Sequence, residues 1–75
     1  TVIKYEIQKP GYVAVKVYDV TGKEIRTLMN ERKTAGSYSV TFDAGGLSSG
    51  VYFYKFTYNS RESERSEIRK MLYIK

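Results

Sequence analysis

The sequence predicts an all-β sandwich, on three observations. Apolar and polar residues alternate with period two through most of the chain. No stretch carries a helical period, and the alternating runs are evenly spaced between Gly-, Pro-, Asp- and Ser-bearing turns. Six strands are expected. With 75 residues, one domain is the limit, since a chain this short buries only about 60% of the surface it exposes when unfolded.

Ile3, Tyr5 and Ile7 alternate with Lys4 and Glu6, giving a first strand with one wet face. "KPG" at 9–11 is a turn. Val13, Val15 and Val17 share a face in a second strand over 12–18, and "DVTG" at 19–22 is a hairpin turn. There Asp19 can bond its own backbone and Gly22 is free to take positive φ. In "EIRTLMN", 24–30, Ile25 and Leu28 have opposite parity. A β-bulge or a helical turn would each reconcile them, and a bulged strand is the reading adopted. "ERKTAG", 31–36, is expected to be a polar loop ended by Gly36. Tyr38, Val40 and Phe42 alternate with Ser39, Thr41 and Asp43 in the next strand. "DAGGLSSG" turns the corner into a strand over 51–58. "NSRESERS", 59–66, is expected to be an exposed loop before a last strand over about 67–75.

The chain has no cysteine and no histidine. That removes disulfides, thiolate zinc sites and any Ser-His-Asp triad. Eight tyrosines and three phenylalanines are the main supply of core. The net charge of +5 comes from 13 basic and 8 acidic side chains. They are interspersed along the chain, which favours a solvated surface of mixed sign over a nucleic-acid footprint. No apolar run has the length of a membrane span, and no signal peptide is visible. Beginning in what reads as mid-strand, the chain is expected to be a piece of a larger protein. Glu62, Glu64 and Glu67 are interleaved with Arg61, Arg65 and Arg69, a pattern of mutual neutralisation rather than of acid–base catalysis. Asp19 and Asp43 stand at turns and lack the alternating acidic ligands of a calcium loop. No catalytic, cofactor or metal site is expected.

In "GLSSGVYFYKF" Tyr52, Tyr54 and Phe56 are assigned inward, because Lys55 marks the Val51/Phe53 face as partly wet. Gly45, Gly46 and Gly50 permit a tight path between sheets, and Leu47 is expected to plug the end of the core. Tyr52 sits where a tyrosine corner belongs, its ring packed and its hydroxyl bonded back to the loop. The expected core is Ile3, Tyr5, Ile7, Val13, Val15, Val17, Ile25, Leu28, Tyr38, Val40, Phe42, Leu47, Tyr52, Tyr54 and Phe56. Tyr12, Tyr18 and Phe53 have outward parity. If they form one flat row they can stack on sugar rings; stacking on nucleic-acid bases ranks well below that. Otherwise they shield the outer sheet surface or lie against a neighbouring domain.

Two blocks, "VYDVTGKEI" and "DAGGLSSGVYFY", with "TVIKYEI" before them and "RKMLYIK" after, run in order through nearly the whole chain. In these the chain resembles the type A C-terminal sorting domain of the type IX secretion system, itself similar to the Ig-like domain of the flagellar hook-capping protein. It departs from that pattern in lacking an Asn-Pro-rich lead and in its long, charged 59–66 segment. The resemblance implies an Ig-like antiparallel sandwich of six to seven strands, residues 1–75 forming one domain. It implies a non-catalytic address at the end of a secreted cargo protein. Outer-membrane machinery would export the cargo from the periplasm, and a sortase-like component often removes the domain and anchors the cargo at the surface. Arg69, Lys70, Met71, Leu72, Tyr73, Ile74 and Lys75 match the family's characteristic end and are the candidate recognition residues, Lys75 being the expected native last residue. Asp19, Gly22, Gly36, Asp43, Leu47, Gly50 and Tyr52 are the candidate structural motif. Two other readings fit the fold: a carbohydrate-binding module, and a structural spacer in a multidomain extracellular enzyme.

Overall fold

A computed structural model of the protein describes residues 2–43 and 45–74. Six strands follow in order: β1 (Val2–Ile7), β2 (Gly11–Asp19), β3 (Glu24–Lys33), β4 (Gly36–Thr41), β5 (Gly50–Asn59) and β6 (Glu64–Tyr73). They form a two-stranded sheet, β1-β4, and a four-stranded sheet, β3-β2-β5-β6, with every pairing antiparallel. The sheets pack as a six-stranded sandwich, and the period-two pattern decides what lies between them. Val13, Val15 and Val17 are fully buried on the inner face of β2, Val13 and Val15 with Ile3, Tyr5 and Ile7 of β1 and Val40 of β4, and Val17 with Phe42 and Tyr52.

The core divides into two neighbouring clusters. One gathers Ile3, Tyr5, Ile7, Val13, Val15, Val40, Phe56 and Tyr58; the other holds Val17, Phe42 and Tyr52. Leu28 and Tyr54, both half-buried, pack against both clusters and join them. Ile25, Tyr38 and Leu47 of the expected core are also half-buried, Leu47 closing the end at the second cluster. Additional core members are Tyr58, Met29, Met71 and Tyr73, and the small Ala14, flanked across the sheet by Asn30 and Thr57.

The opposite parity of Ile25 and Leu28 has the cause expected. The β2–β3 register slips twice. Met29 pairs with Val15 and Thr27 with Lys16, skipping Leu28; Arg26 pairs with Val17 and Glu24 with Tyr18, skipping Ile25. Each extra residue reverses the parity of the strand, so both apolar side chains reach the second cluster.

Three boundaries differ from the sequence reading. "ERKTAG" is not a loop: β3 continues to Lys33, with Glu31 opposite Val13 and Arg32 opposite Tyr12. Charge does not prevent this, because β3 is an edge strand and Lys33 lies over the Tyr38 ring, 5.1 Å away, while bonding Glu31 at 2.7 Å. Gly36 accordingly opens β4 instead of ending a loop. "NSRESERS" shrinks to a turn, with β6 starting at Glu64 opposite Asn59. The Ser60 hydroxyl accepts from the amides of Glu62 and Ser63 at 3.3 and 3.1 Å, and the Ser60 amide donates to the Ser63 carbonyl at 2.9 Å.

Candidate functional site

The residues of the structural motif fix the turns between strands. Asp19 Oδ1 accepts from Thr21 N, Thr21 Oγ1 and Lys23 N at 2.9, 2.6 and 3.0 Å. These bonds, the Thr21 hydroxyl first, hold its carboxyl below the usual carboxylate range. The Gly22 amide donates to the Asp19 carbonyl at 3.0 Å with φ 90°, a conformation that a Cβ would strain. Asp43 Oδ1 accepts from Gly45 N at 2.9 Å, the turn role expected of it. Gly36 and Gly50 also have positive φ, 152° and 158°.

The corner tyrosine is where the sequence puts it. Tyr52, 8% exposed, packs in the second cluster and donates its hydroxyl to the Ser48 carbonyl at 2.6 Å. Two comparable clamps have no signature in the sequence. Tyr38 donates to the Thr34 carbonyl at 2.6 Å, and Tyr58 reaches across the sandwich to the Lys9 carbonyl at 2.7 Å, pinning the "KPG" turn. The ring of Tyr58 explains the glycine beside that turn: a Cβ on Gly11 would lie 2.6 Å from both Tyr58 Cε1 and the Asn59 carbonyl oxygen.

Against this frame β6 pairs with all of β5 without a slip, from Gly50 opposite Tyr73 to Asn59 opposite Glu64. The register settles a strand whose parity is ambiguous in sequence. Met71 and Tyr73, opposite Tyr52 and Gly50, pack on the second cluster. Ile68, Leu72 and Ile74 are 61, 67 and 77% exposed. Arg69 and Lys70 are exposed between them, and Lys75 lies outside the described residues.

The outer face of the large sheet continues this apolar surface. Tyr18, Phe53 and Lys70 form one cross-strand row, Lys16, Lys55 and Ile68 the next, and Val51 faces Leu72. Tyr18, Asp19, Val20, Gly22, Phe53, Lys55 and Ile68 line a shallow depression of about 360 Å³. Lys16 is engaged by Glu24 at 3.3 Å, whereas Lys55 and Lys70 have no ion-pair partner among the described residues.

Among the described residues, no three acids come together as a metal site would need. Glu62 pairs with Lys9, and Glu64 and Glu67 project from opposite faces of β6. Nor do the outward aromatics form a row. Tyr18 and Phe53 are cross-strand neighbours, but Tyr12 stands at the far end of β2, its hydroxyl bonded to Asn30. The flat stacking platform that sugar binding asks for is missing among the described residues.

Fold and surface therefore define a class: a small antiparallel β-sandwich with exposed apolar side chains on its larger sheet. Compared with known families, residues 2–71 match the family described as "Secretion system C-terminal sorting domain", and the chain belongs to it. Searches of curated proteins and of solved structures found no match. Members of this family are non-catalytic sorting signals of proteins secreted by the type IX machinery, which carries them across the outer membrane to the cell surface or the medium.

Proposed function

We propose that residues 1–75 are one domain of a longer cargo protein, without enzymatic activity of its own, and that the export machinery reads it along β6. The segment Arg69–Ile74 would carry the recognition, with Lys75 continuing it, and a sortase-like component would afterwards remove the domain. One observation carries this reading: β6 is split between its faces. Met71 and Tyr73 anchor the strand in the core, while Ile68, Leu72 and Ile74 stand exposed beside Arg69 and Lys70. An edge strand that only closes the sheet needs no exposed apolar face, whereas a docking strand does.

The test is a reporter with a signal peptide fused upstream of residues 1–75 in a type IX-competent cell. The fusion is expected in the medium or at the surface, and a fusion lacking 70–75 in the periplasm. Because that truncation also removes Met71 and Tyr73 from the core, the sharper variant is Leu72→Asp with Ile74→Asp, which changes only exposed side chains. Periplasmic retention with an unchanged melting curve supports the reading. Export equal to that of the parent fusion refutes the assignment to β6.

A further inference from the structure

The two edges of the large sheet are treated differently. β3 is broken by two register slips, the kind of irregularity that keeps an edge from pairing with another chain. β6 has none: its pairing with β5 is continuous over Glu64–Tyr73, and its sequence contains neither proline nor glycine. Its outer edge therefore offers a regular row of backbone donors and acceptors. Glu67 and Arg69 project from one face of that strand and have no ion-pair partner among the described residues.

We propose that this edge pairs with the same edge of a second copy of the chain, antiparallel about a two-fold axis through Ile68, so that the sheet becomes eight-stranded. Symmetry and charge select that register. A two-fold perpendicular to the sheet places each residue opposite one on the same face, so the axis must pass through a residue opposite itself. Centred on Glu67 the pairing opposes Glu67 to itself and Arg65 to Arg69. Centred on Arg69 or Lys70 it opposes like charges at the axis, which is destabilising. Centres at Ser66 or Met71 leave only a short overlap at one end of the strand. Centred on Ile68, residues 64–72 all pair. Glu67 then faces Arg69 of the second copy, twice by symmetry, and Ile68 faces Ile68. Lys70 faces Ser66 and lies diagonal to Glu64 of the second copy. No like charges are opposed. The pairing also merges the two outer apolar surfaces through Ile68, which is 61% exposed in the single chain. The inference stands apart from the export reading and survives its failure.

The experiment is sedimentation equilibrium of the 75-residue chain over a concentration series, with charge-reversal variants and circular dichroism to check folding. The parent is expected to approach twice its 8.7 kDa mass at high concentration, less so in high salt. Glu67→Arg alone and Arg69→Glu alone should each lose the dimer by opposing like charges, and the double variant should regain it. An independent readout uses the absence of cysteine. Ile68→Cys should oxidise to a covalent dimer, since opposed residues in an antiparallel pair lie about 4.5–5.5 Å apart at Cα, within disulfide range. Ser66→Cys should not. A parent that stays at 8.7 kDa at every concentration overturns the proposal. So does a dimer indifferent to the single reversals or not rescued by the double one, and so does cross-linking of Ser66→Cys in preference to Ile68→Cys.

Discussion

Deleting one oxygen atom from Tyr52 should lower stability, whereas deleting the same atom from Tyr5 should not. Tyr52→Phe keeps the ring against Val17 and Phe42 but removes the hydroxyl that donates to the Ser48 carbonyl at 2.6 Å. Ser48 is exposed, so its carbonyl turns to water and only the net worth of one neutral hydrogen bond is lost, about 1 kcal/mol. For a domain of this size that lowers Tm by roughly 4–8 °C. Tyr5 packs its ring on Tyr38 and Phe56, with centroids 5.4 and 5.1 Å away, yet its buried hydroxyl has no hydrogen-bond partner among the described residues. Tyr5→Phe removes an unsatisfied group and should leave Tm unchanged or raise it. Urea and thermal melts followed by circular dichroism compare the two variants directly. Equal losses in both would refute the reasoning, because they would mean that the hydroxyl's partner makes no difference.

The same residue sets a pH dependence. Burial raises the Tyr5 pKa above its ordinary value of 10.0, opposed by Lys33. Above that ordinary value the unfolded chain gives up the proton more readily than the folded one, so the stability tied to Tyr5 is complete below about pH 10 and declines above it. Melts of Tyr5→Phe should show a shallower alkaline decline. Gly11→Ala should destabilise by roughly 1–3 kcal/mol, because the added methyl meets Tyr58 and the Asn59 carbonyl at 2.6 Å; a urea midpoint equal to the parent's would count against that packing. Asp19→Ala removes the acceptor of three turn bonds and should weaken protection of the Thr21 and Lys23 amides from hydrogen exchange. Acid should do likewise once pH falls through the lowered Asp19 pKa, since that group stabilises the turn only while ionised. Phe56→Ala should cost about 3–5 kcal/mol, enough to unfold much of a small domain, as read by loss of the cooperative melt.

What sequence could reveal here depended on whether a residue's role is local. Alternation in β1, β2, β4 and β5 identified the buried face, since one wet side leaves a clear period of two. The Tyr52 corner was legible because its acceptor is only four residues away. The Tyr58 clamp was not, because Lys9 is 49 residues away and nothing near Tyr58 announces it. The far end of β3 and the start of β6 read as loops because edge strands tolerate charge on both faces, and charge was the only local signal available. In β6 both parities carry apolar residues, so the division between Met71 and Tyr73 inside and Leu72 and Ile74 outside waited on the register with β5. The lysine-flanked apolar face follows from three strands set side by side, an arrangement no single segment encodes.

The small sheet has a consequence for how the domain assembles. β2–β3 and β5–β6 are hairpins between neighbours in sequence, able to close early over short loops. β1 must instead find β4 across both strands of the first hairpin, pairing Val2 with Thr41 and Ile7 with Gly36. Such distant pairings slow folding and come late. With one neighbour each, β1 and β4 also have the fewest bonds to break, so their backbone amides should exchange before those of β2 and β5. Such an opening would lift Ile3, Tyr5 and Ile7 off Val13 and Val15 of β2 while leaving the pairings of the four-stranded sheet intact. The small sheet is thus expected to act as a separable layer, whose amides exchange while those of β2 and β5 stay protected.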